Sequence, residues 1–102
     1  LVAVANCVSA AVGRDVQWIH MPVPRDRSDD AYFEALSDLN LRPETELFLG
    51  LVHHTDGVEG TRARIATAEK FVTDFGISTE CGLGRRLPET MSELLRIHAQ
   101  VQ

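Results

Sequence analysis

Residues 79–90 contain the side chains of this chain that are best suited to chemistry. Cys81 follows a short apolar strand and precedes the turn Gly82-Leu83-Gly84, two arginines and a proline. In α/β barrels the catalytic and binding residues lie at the carboxyl ends of the strands. A thiolate in such a position can act as a nucleophile or bind zinc. We therefore predict that Cys81 is a metal ligand or a reactive thiol; the alternative is a small buried residue before a tight turn.

Histidines occur at the ends of the two other predicted strands. His20 precedes Met21-Pro22 and can serve as a metal ligand or general base, or as a hydrogen-bonded histidine at the rim of the sheet. His53 and His54 are adjacent. Neighbouring residues of a strand point to opposite faces, so at most one of this pair faces a site at the strand ends.

Two arginines, Arg85 and Arg86, follow the cysteine turn. A guanidinium can hold a carboxylate or a phosphate through two parallel hydrogen bonds. The alternative for Arg86 is an ion pair with a carboxylate of the chain, that of Glu80, Glu89 or Asp56.

Apolar periodicity and turn residues predict the order helix, strand, helix, strand, helix, strand, helix. The helices are predicted over residues 1–12, 29–39 (with Ser28 as the cap), 56–74 and from Pro88 onward, and the strands over residues 16–21, 46–53 and 76–80. The spacing of Asp56 and Glu59 is that of a capping box. On the last helix, the residues predicted to face the core are Met91, Leu94, Leu95, His98 and Val101.

Alternating strands and helices predict an α/β fold with parallel strands and right-handed crossovers. The 102 residues are enough for one small domain, residues 1–102, but too few for a complete (β/α)8 barrel. Because the chain starts at Leu1 with a helical apolar pattern and no cap, we expect a fragment of a longer protein. The alternative is an ordinary small domain.

Composition excludes several classes of protein. The formal net charge of -5 argues against general nucleic-acid binding, which needs a basic face. No apolar run approaches the ~20 residues that cross a bilayer, so no membrane partner is expected. Cys7 and Cys81 do not make a disulfide framework, and Cys7 is predicted to be a small core residue. Reduced thiols fit a cytoplasmic protein.

The run Cys81-Gly82-Leu83-Gly84-Arg85-Arg86-Leu87-Pro88-Glu89-Thr90 resembles the last strand and helix of the cobalamin-independent methionine synthase family. The segment Leu49-Gly50-Leu51-Val52 resembles the seventh strand of that family. The resemblance implies that the chain contains the last three strands and four helices of a TIM (β/α)8 barrel. It also implies that Cys81 binds zinc. His20 takes the position of a metal-binding glutamate, and its spacing to Cys81, 81 − 20 = 61 residues, closely matches the family.

The resemblance implies a zinc-dependent transfer of a methyl or alkyl group to a thiol. The intact protein would then be similar to methyltetrahydropteroyltriglutamate–homocysteine methyltransferase, with a small-molecule thiol and a methyl donor as partners. The remaining zinc ligands of the family, a His-x-Cys pair, would lie upstream of Leu1. His53, where the family often has an aspartate, and Arg86, which matches a family arginine, are the implied catalytic residues.

Two alternatives stay open. Barrels related to this family include uroporphyrinogen decarboxylase, which uses no metal, and a metal-free decarboxylase-like barrel would depend more on His53 and Arg86 than on Cys81. The second alternative is a non-catalytic α/β fragment that lacks an N-terminal portion and associates with itself through exposed sheet edges.

Overall fold

The computed structural model of the chain describes residues 1–80 and 82–102. The predictions for Cys81 therefore lie outside the described residues. The helices are α1 (Val2–Ala11), α2 (Asp30–Phe33), α3 (Gly57–Glu69) and α4 (Pro88–Val101), and the strands are β1 (Trp18–Pro22), β2 (Glu46–Val52) and β3 (Gly76–Thr79). Short 3-10 helices cover Glu34–Asp38 and Leu83–Arg85. The predicted order of strands and helices and the α/β class are confirmed.

The strands form one parallel sheet in the order β1-β2-β3, with β2 in the centre. His20 pairs with Phe48, which pairs in turn with Gly76 on β3. The near-continuous apolar run of β2 suits a central parallel strand. Because all three strands run the same way, their carboxyl ends meet at one edge of the sheet.

One face of the sheet packs against the helices. The main core joins β1 and β2 to the first three helices and the first 3-10 helix, through Met21, Leu47, Leu49, Leu51, Ala5, Phe33, Leu36 and Ala68. Leu94 and Ile97 of α4 pack with Ile77 of β3, which also borders the main core. The four helices therefore lie on the same side of the sheet.

The opposite face of the sheet is open in the part of the chain that the structure describes. Trp18, His20, Phe48 and Ser78 line a wide depression of about 630 Å³ on this face. Trp18 is 61% exposed. A doubly wound fold covers both faces of its parallel sheet, so this sheet has a different, one-sided arrangement.

Two predictions of helix faces were wrong. Cys7 is exposed, because α1 packs through Ala5 and Ser9, which are four residues apart on the helix face opposite to Cys7. On α4, Leu95 is 56% exposed while Ile97 is buried. The buried residues of α4, Leu94 and Ile97, are three positions apart and lie on one face of the helix. Leu95 is rotated by about 100° around the helix axis from Leu94 and therefore faces solvent.

The helix ends also differ from the prediction. The cap of α2 is Asp29 rather than Ser28, since the Asp29 side chain accepts a hydrogen bond from the Tyr32 amide. That helix changes to a 3-10 helix at Glu34. Helix α3 ends at Glu69 rather than at residue 74. In the described part of the chain, no helix combines the length and the apolar character needed to cross a membrane.

Candidate functional site

The candidate site lies at the carboxyl edge of the sheet and on the adjoining open face. His20 projects from β1 onto the open face, and His53 directly follows β2. Glu80 directly follows β3, and Arg86 follows the second 3-10 helix. The structure therefore brings His53 and Arg86 to one end of the sheet. His20 was predicted at a strand end but lies in the middle of β1, paired with Phe48, and only its Nε2 reaches that end, at Thr79. The fourth predicted residue, Cys81, is outside the described residues.

The side chain of His20 extends over the central strand, β2, to the strand beyond it. Its Nε2 lies 3.3 Å from the main-chain oxygen of Thr79, although β2 separates β1 from β3. The ring passes over Gly50, where a Cβ atom would lie only 3.0 Å from His20 Nε2. The glycine therefore gives the imidazole the space to reach the third strand.

His53 is buried and holds two parts of the site together. Its side chain is only 2% exposed, and its Nε2 donates a hydrogen bond of 2.7 Å to the main-chain oxygen of Val23 in the loop after β1. Its Nδ1 lies 3.3 Å from Oε2 of Glu80 and makes no hydrogen bond. Because Nε2 is the donor, Nδ1 of the neutral ring and the Glu80 carboxylate are both acceptors and do not hydrogen-bond to each other.

Arg86 forms the ion pair that was one of its two predicted roles. Its Nη1 lies 3.1 Å from Oε1 of Glu80, and its side chain is 20% exposed. Its Nε is buried and has no hydrogen-bond partner in the described structure. The carboxylate of Glu80 thus accepts a hydrogen bond from Arg86 and lies beside the ring of His53.

Glu80 is the central residue of this cluster, and the sequence analysis treated it only as a possible partner of Arg86. Its side chain is 39% exposed, and it lines both the depression on the open face and a smaller cavity beside Arg86. The sequence did contain a signal, because Glu80 is a carboxylate at the carboxyl end of a predicted strand, beside Cys81. His54 points elsewhere and lies 4.0 Å from Glu93 on α4.

Arg64 is a second residue that the sequence analysis missed. It lies in the middle of α3 and is 1% exposed. Its Nε donates to the Leu51 oxygen at 2.8 Å and its Nη1 donates to the Arg25 oxygen at 2.9 Å. Its remaining donors bond to Asp56 and Thr61. Arg64 therefore ties the end of β2 and the loop after β1 to the start of α3, directly beneath the site.

The pair of Arg64 and Asp56 corrects the capping-box prediction. Asp56 precedes α3, but its side chain makes no hydrogen bond to the helix amides. It instead accepts hydrogen bonds from Nη1 and Nη2 of Arg64 at 2.6 and 2.9 Å. These bonds lower the pKa of Asp56 below its ordinary value, because they favour the charged carboxylate.

The predicted zinc site needs several histidine, cysteine, aspartate or glutamate side chains close together. Within residues 1–80 and 82–102, no group of three or more histidine, cysteine, aspartate or glutamate side chains is arranged to hold a metal ion. His20 does fit the role of a single ligand. A metal-binding histidine usually donates its other ring N–H to a carbonyl or carboxylate, and Thr79 supplies such a carbonyl.

The chain matches no protein-family model, no curated protein and no solved structure.

Proposed function

We propose that the chain is the C-terminal part of a (β/α)8 barrel enzyme, similar to methionine synthase, that transfers a methyl or alkyl group to a thiol with the help of zinc. The observation that carries this proposal is the one-sided sheet. In such a barrel every helix lies outside the strands, and the other face of the strands turns inward. A three-stranded parallel sheet with four helices on one face is the arrangement expected of a barrel segment.

The free edges of the sheet support the same architecture. β1 and β3 each have one neighbouring strand in the described chain, so both present an unpaired edge. Closure of a barrel would pair both edges. It would also enclose Trp18, which is otherwise a large exposed apolar side chain on a sheet face.

The location of the polar residues supports an active site at the carboxyl edge. His20 faces the side that a barrel would enclose, and Glu80 lies at the end of β3. Barrel enzymes place their chemistry at this end of the strands. The buried Arg64 network below the site holds the loop after β1 and the start of α3 in fixed positions.

His20 and Cys81 are the residues of this chain that would hold zinc, with the remaining donors supplied by the part of the barrel outside the chain. A catalytic zinc has about three protein ligands and lowers the pKa of a bound thiol or water. His53 and Arg86 orient Glu80 at the mouth of the site. Because His53 is almost completely buried, we assign it a positioning role, and we assign the contact with substrate to Glu80 and Arg86.

Elemental analysis of the complete gene product tests this proposal. We expect stoichiometric zinc in the wild-type protein, loss of zinc in Cys81→Ser, and weaker zinc retention in His20→Ala. His54→Ala is the matched control, because His54 faces Glu93 and should leave the zinc content unchanged. Stoichiometric zinc in a folded Cys81→Ser protein would contradict the proposal.

A metal-free barrel is the second candidate, and the cluster of His53, Glu80 and Arg86 favours it. These residues form a cluster of one carboxylate, one imidazole and one guanidinium without a metal. Such a set suits proton transfer in a lyase. A folded protein that contains no zinc, and whose unfolding midpoint a chelator leaves unchanged, would favour this candidate.

Self-association of the isolated chain is the third candidate, and the open face with exposed Trp18 favours it. An uncovered apolar face and two free edges promote association between copies. Sedimentation of the 102-residue chain should then show oligomers, and Trp18→Glu should shift them toward monomer. A monodisperse monomer that melts cooperatively would argue against this candidate.

A further inference from the structure

We infer that the chain binds a second copy of itself head to tail, with a basic turn at the carboxyl edge of one sheet entering an acidic groove at the amino edge of the next. The basic turn consists of Leu83, Arg85 and Leu87. The acidic groove lies between the segments that lead into β2 and β3. This inference goes beyond the zinc function proposed above and does not depend on it.

The acidic groove has an apolar floor. Its volume is about 880 Å³, and it lies at the amino ends of β2 and β3. The floor is formed by half-buried side chains that pack on one side against the main core, namely Leu39, Leu41, Phe71, Val72 and Phe75. A partner that removes these side chains from water gains the free energy of their burial.

The rim of the acidic groove carries the three carboxylates of Glu44, Glu46 and Asp74. All three residues are exposed, and none forms an ion pair with another residue that the structure describes. Arg42 also lines the groove, but its guanidinium donates hydrogen bonds to two main-chain oxygens within residues 12–14. The groove is therefore net negative, and its charge favours a partner that is both apolar and positively charged.

The basic turn has these two properties. Leu83 is 37% exposed and Leu87 is 64% exposed. Arg85 lies between them, is exposed, and forms no ion pair within the described part of the chain, whereas Arg86 is bound in the cluster described above. The shape of the turn depends on Gly82, which has a φ of 91° and whose oxygen accepts a hydrogen bond from the Arg85 amide at 2.9 Å.

The basic turn and the acidic groove lie at opposite ends of the same sheet. All three strands run parallel, so the segments that lead into β2 and β3 are at the amino edge, and the turn that follows β3 is at the carboxyl edge. The turn is therefore held away from the groove of its own molecule. In a second copy, the groove offers carboxylates to Arg85 and an apolar floor to the two leucines. A contact between two different surfaces joins copies into chains or rings.

The test uses two variants that each remove one surface. Arg85→Glu reverses the charge of the turn, and Glu44→Lys combined with Asp74→Lys reverses the rim of the groove. In sedimentation velocity we expect the wild-type chain to form oligomers that dissociate as the ionic strength rises, and each variant to associate at least about 10-fold more weakly. Arg62→Glu and Glu59→Lys are the matched controls, because both residues are exposed on α3 and outside the two surfaces. They should associate like the wild type.

A mixture of the two variants tests the head-to-tail arrangement. Arg85→Glu keeps an intact groove and the groove variant keeps an intact turn, so one contact can form between them and no further copy can add. We expect monomers in each separate sample and a dimer, with nothing larger, in the mixture. A mixture that stays monomeric would overturn the inference, and so would a wild-type chain that is monomeric even at millimolar concentration.

Arg85→Glu also provides a test that does not require the groove variant to fold. When it is added to the wild-type chain, its groove can bind a wild-type turn but it offers no working turn in return. It should therefore end the growth of the oligomers and lower their mean mass, whereas Arg62→Glu should not. Oligomers that form equally well from Arg85→Glu, but that Trp18→Glu dissociates, would place the contact on the open face of the sheet and overturn the inference.

Discussion

Replacement of Arg64 by methionine should destabilise the chain far more than the same replacement at Arg62. Both residues lie on α3, but Arg64 is 1% exposed and Arg62 is an exposed residue with one hydrogen bond, to the Gln100 oxygen at 3.2 Å. Methionine fills a similar volume without a charge. The difference between the two variants therefore measures the polar contacts of the buried guanidinium.

The magnitude follows from the groups that lose their donors. In Arg64→Met the main-chain oxygens of Leu51 and Arg25 each lose the hydrogen bond that Arg64 donates. A hydrogen bond from a charged donor contributes about 1.5 kcal/mol or more to the free energy of unfolding. The Asp56 carboxylate is 38% exposed and becomes solvated, so its contribution is discounted. We therefore expect Arg64→Met to lose about 3 kcal/mol relative to Arg62→Met. For a domain of this size that is a fall of about 12 to 24 °C in Tm.

Urea unfolding followed by far-ultraviolet circular dichroism gives the free energies of unfolding. The slope against urea should be the same for both variants, since a change in slope indicates a changed folded or unfolded state. A difference of less than about 1 kcal/mol between Arg64→Met and Arg62→Met would refute the reasoning. In that case the five donors of Arg64 would not hold the strand end, the loop and the helix together.

Three further predictions concern other parts of the chain. The Arg27 guanidinium lowers the pKa of Asp29 to about 2, so this ion pair should stabilise the fold fully above pH ~4, and the effect should be lost as the pH falls toward 2. Carbon-13 NMR should find this pKa in the wild type and a higher one in Arg27→Gln. Leu94→Ala should cost about 2–5 kcal/mol and Leu95→Ala less than about 0.5 kcal/mol in urea unfolding, and equal effects would contradict the packing of α4. His53→Leu should cost about 1–3 kcal/mol, because it leaves a buried carbonyl without its donor, and a neutral effect on the Tm would show that this hydrogen bond contributes nothing.

Several features of the fold could be predicted because their causes are local in sequence. The apolar run of β2 and the proline that starts α4 identify these elements without reference to the rest of the chain. Strands that alternate with helices must run parallel, since each crossover returns the chain to the same end of the sheet. The same reasoning placed His53 and Arg86 at one end of the sheet, whereas His20 lies in the middle of β1.

The buried faces and the capping residues of the helices were predicted less well. The sequence offers more than one residue for the same buried position, and more than one partner for the same capping side chain. Leu94 and Leu95 are both apolar, and only the position of α4 against Ile77 decides which of them is buried. Asp56 has the spacing of a capping residue, yet its carboxylate binds Arg64, which is two helical turns further along the chain. A charged donor binds a carboxylate more strongly than a main-chain amide does.

Local patterns in the amino-acid sequence are enough to predict the three parallel strands, the four helices and the chemical groups near the strand ends. Long-range packing determines that the helices cover one face of the sheet, that Glu80 lies between His53 and Arg86, and that His20 reaches Thr79 over Gly50. These contacts join residues that are far apart in the chain; His20 and Thr79 are 59 positions apart. Periodicity describes neighbours within a few residues, whereas such contacts depend on which strands lie side by side and on how much space a glycine leaves between them.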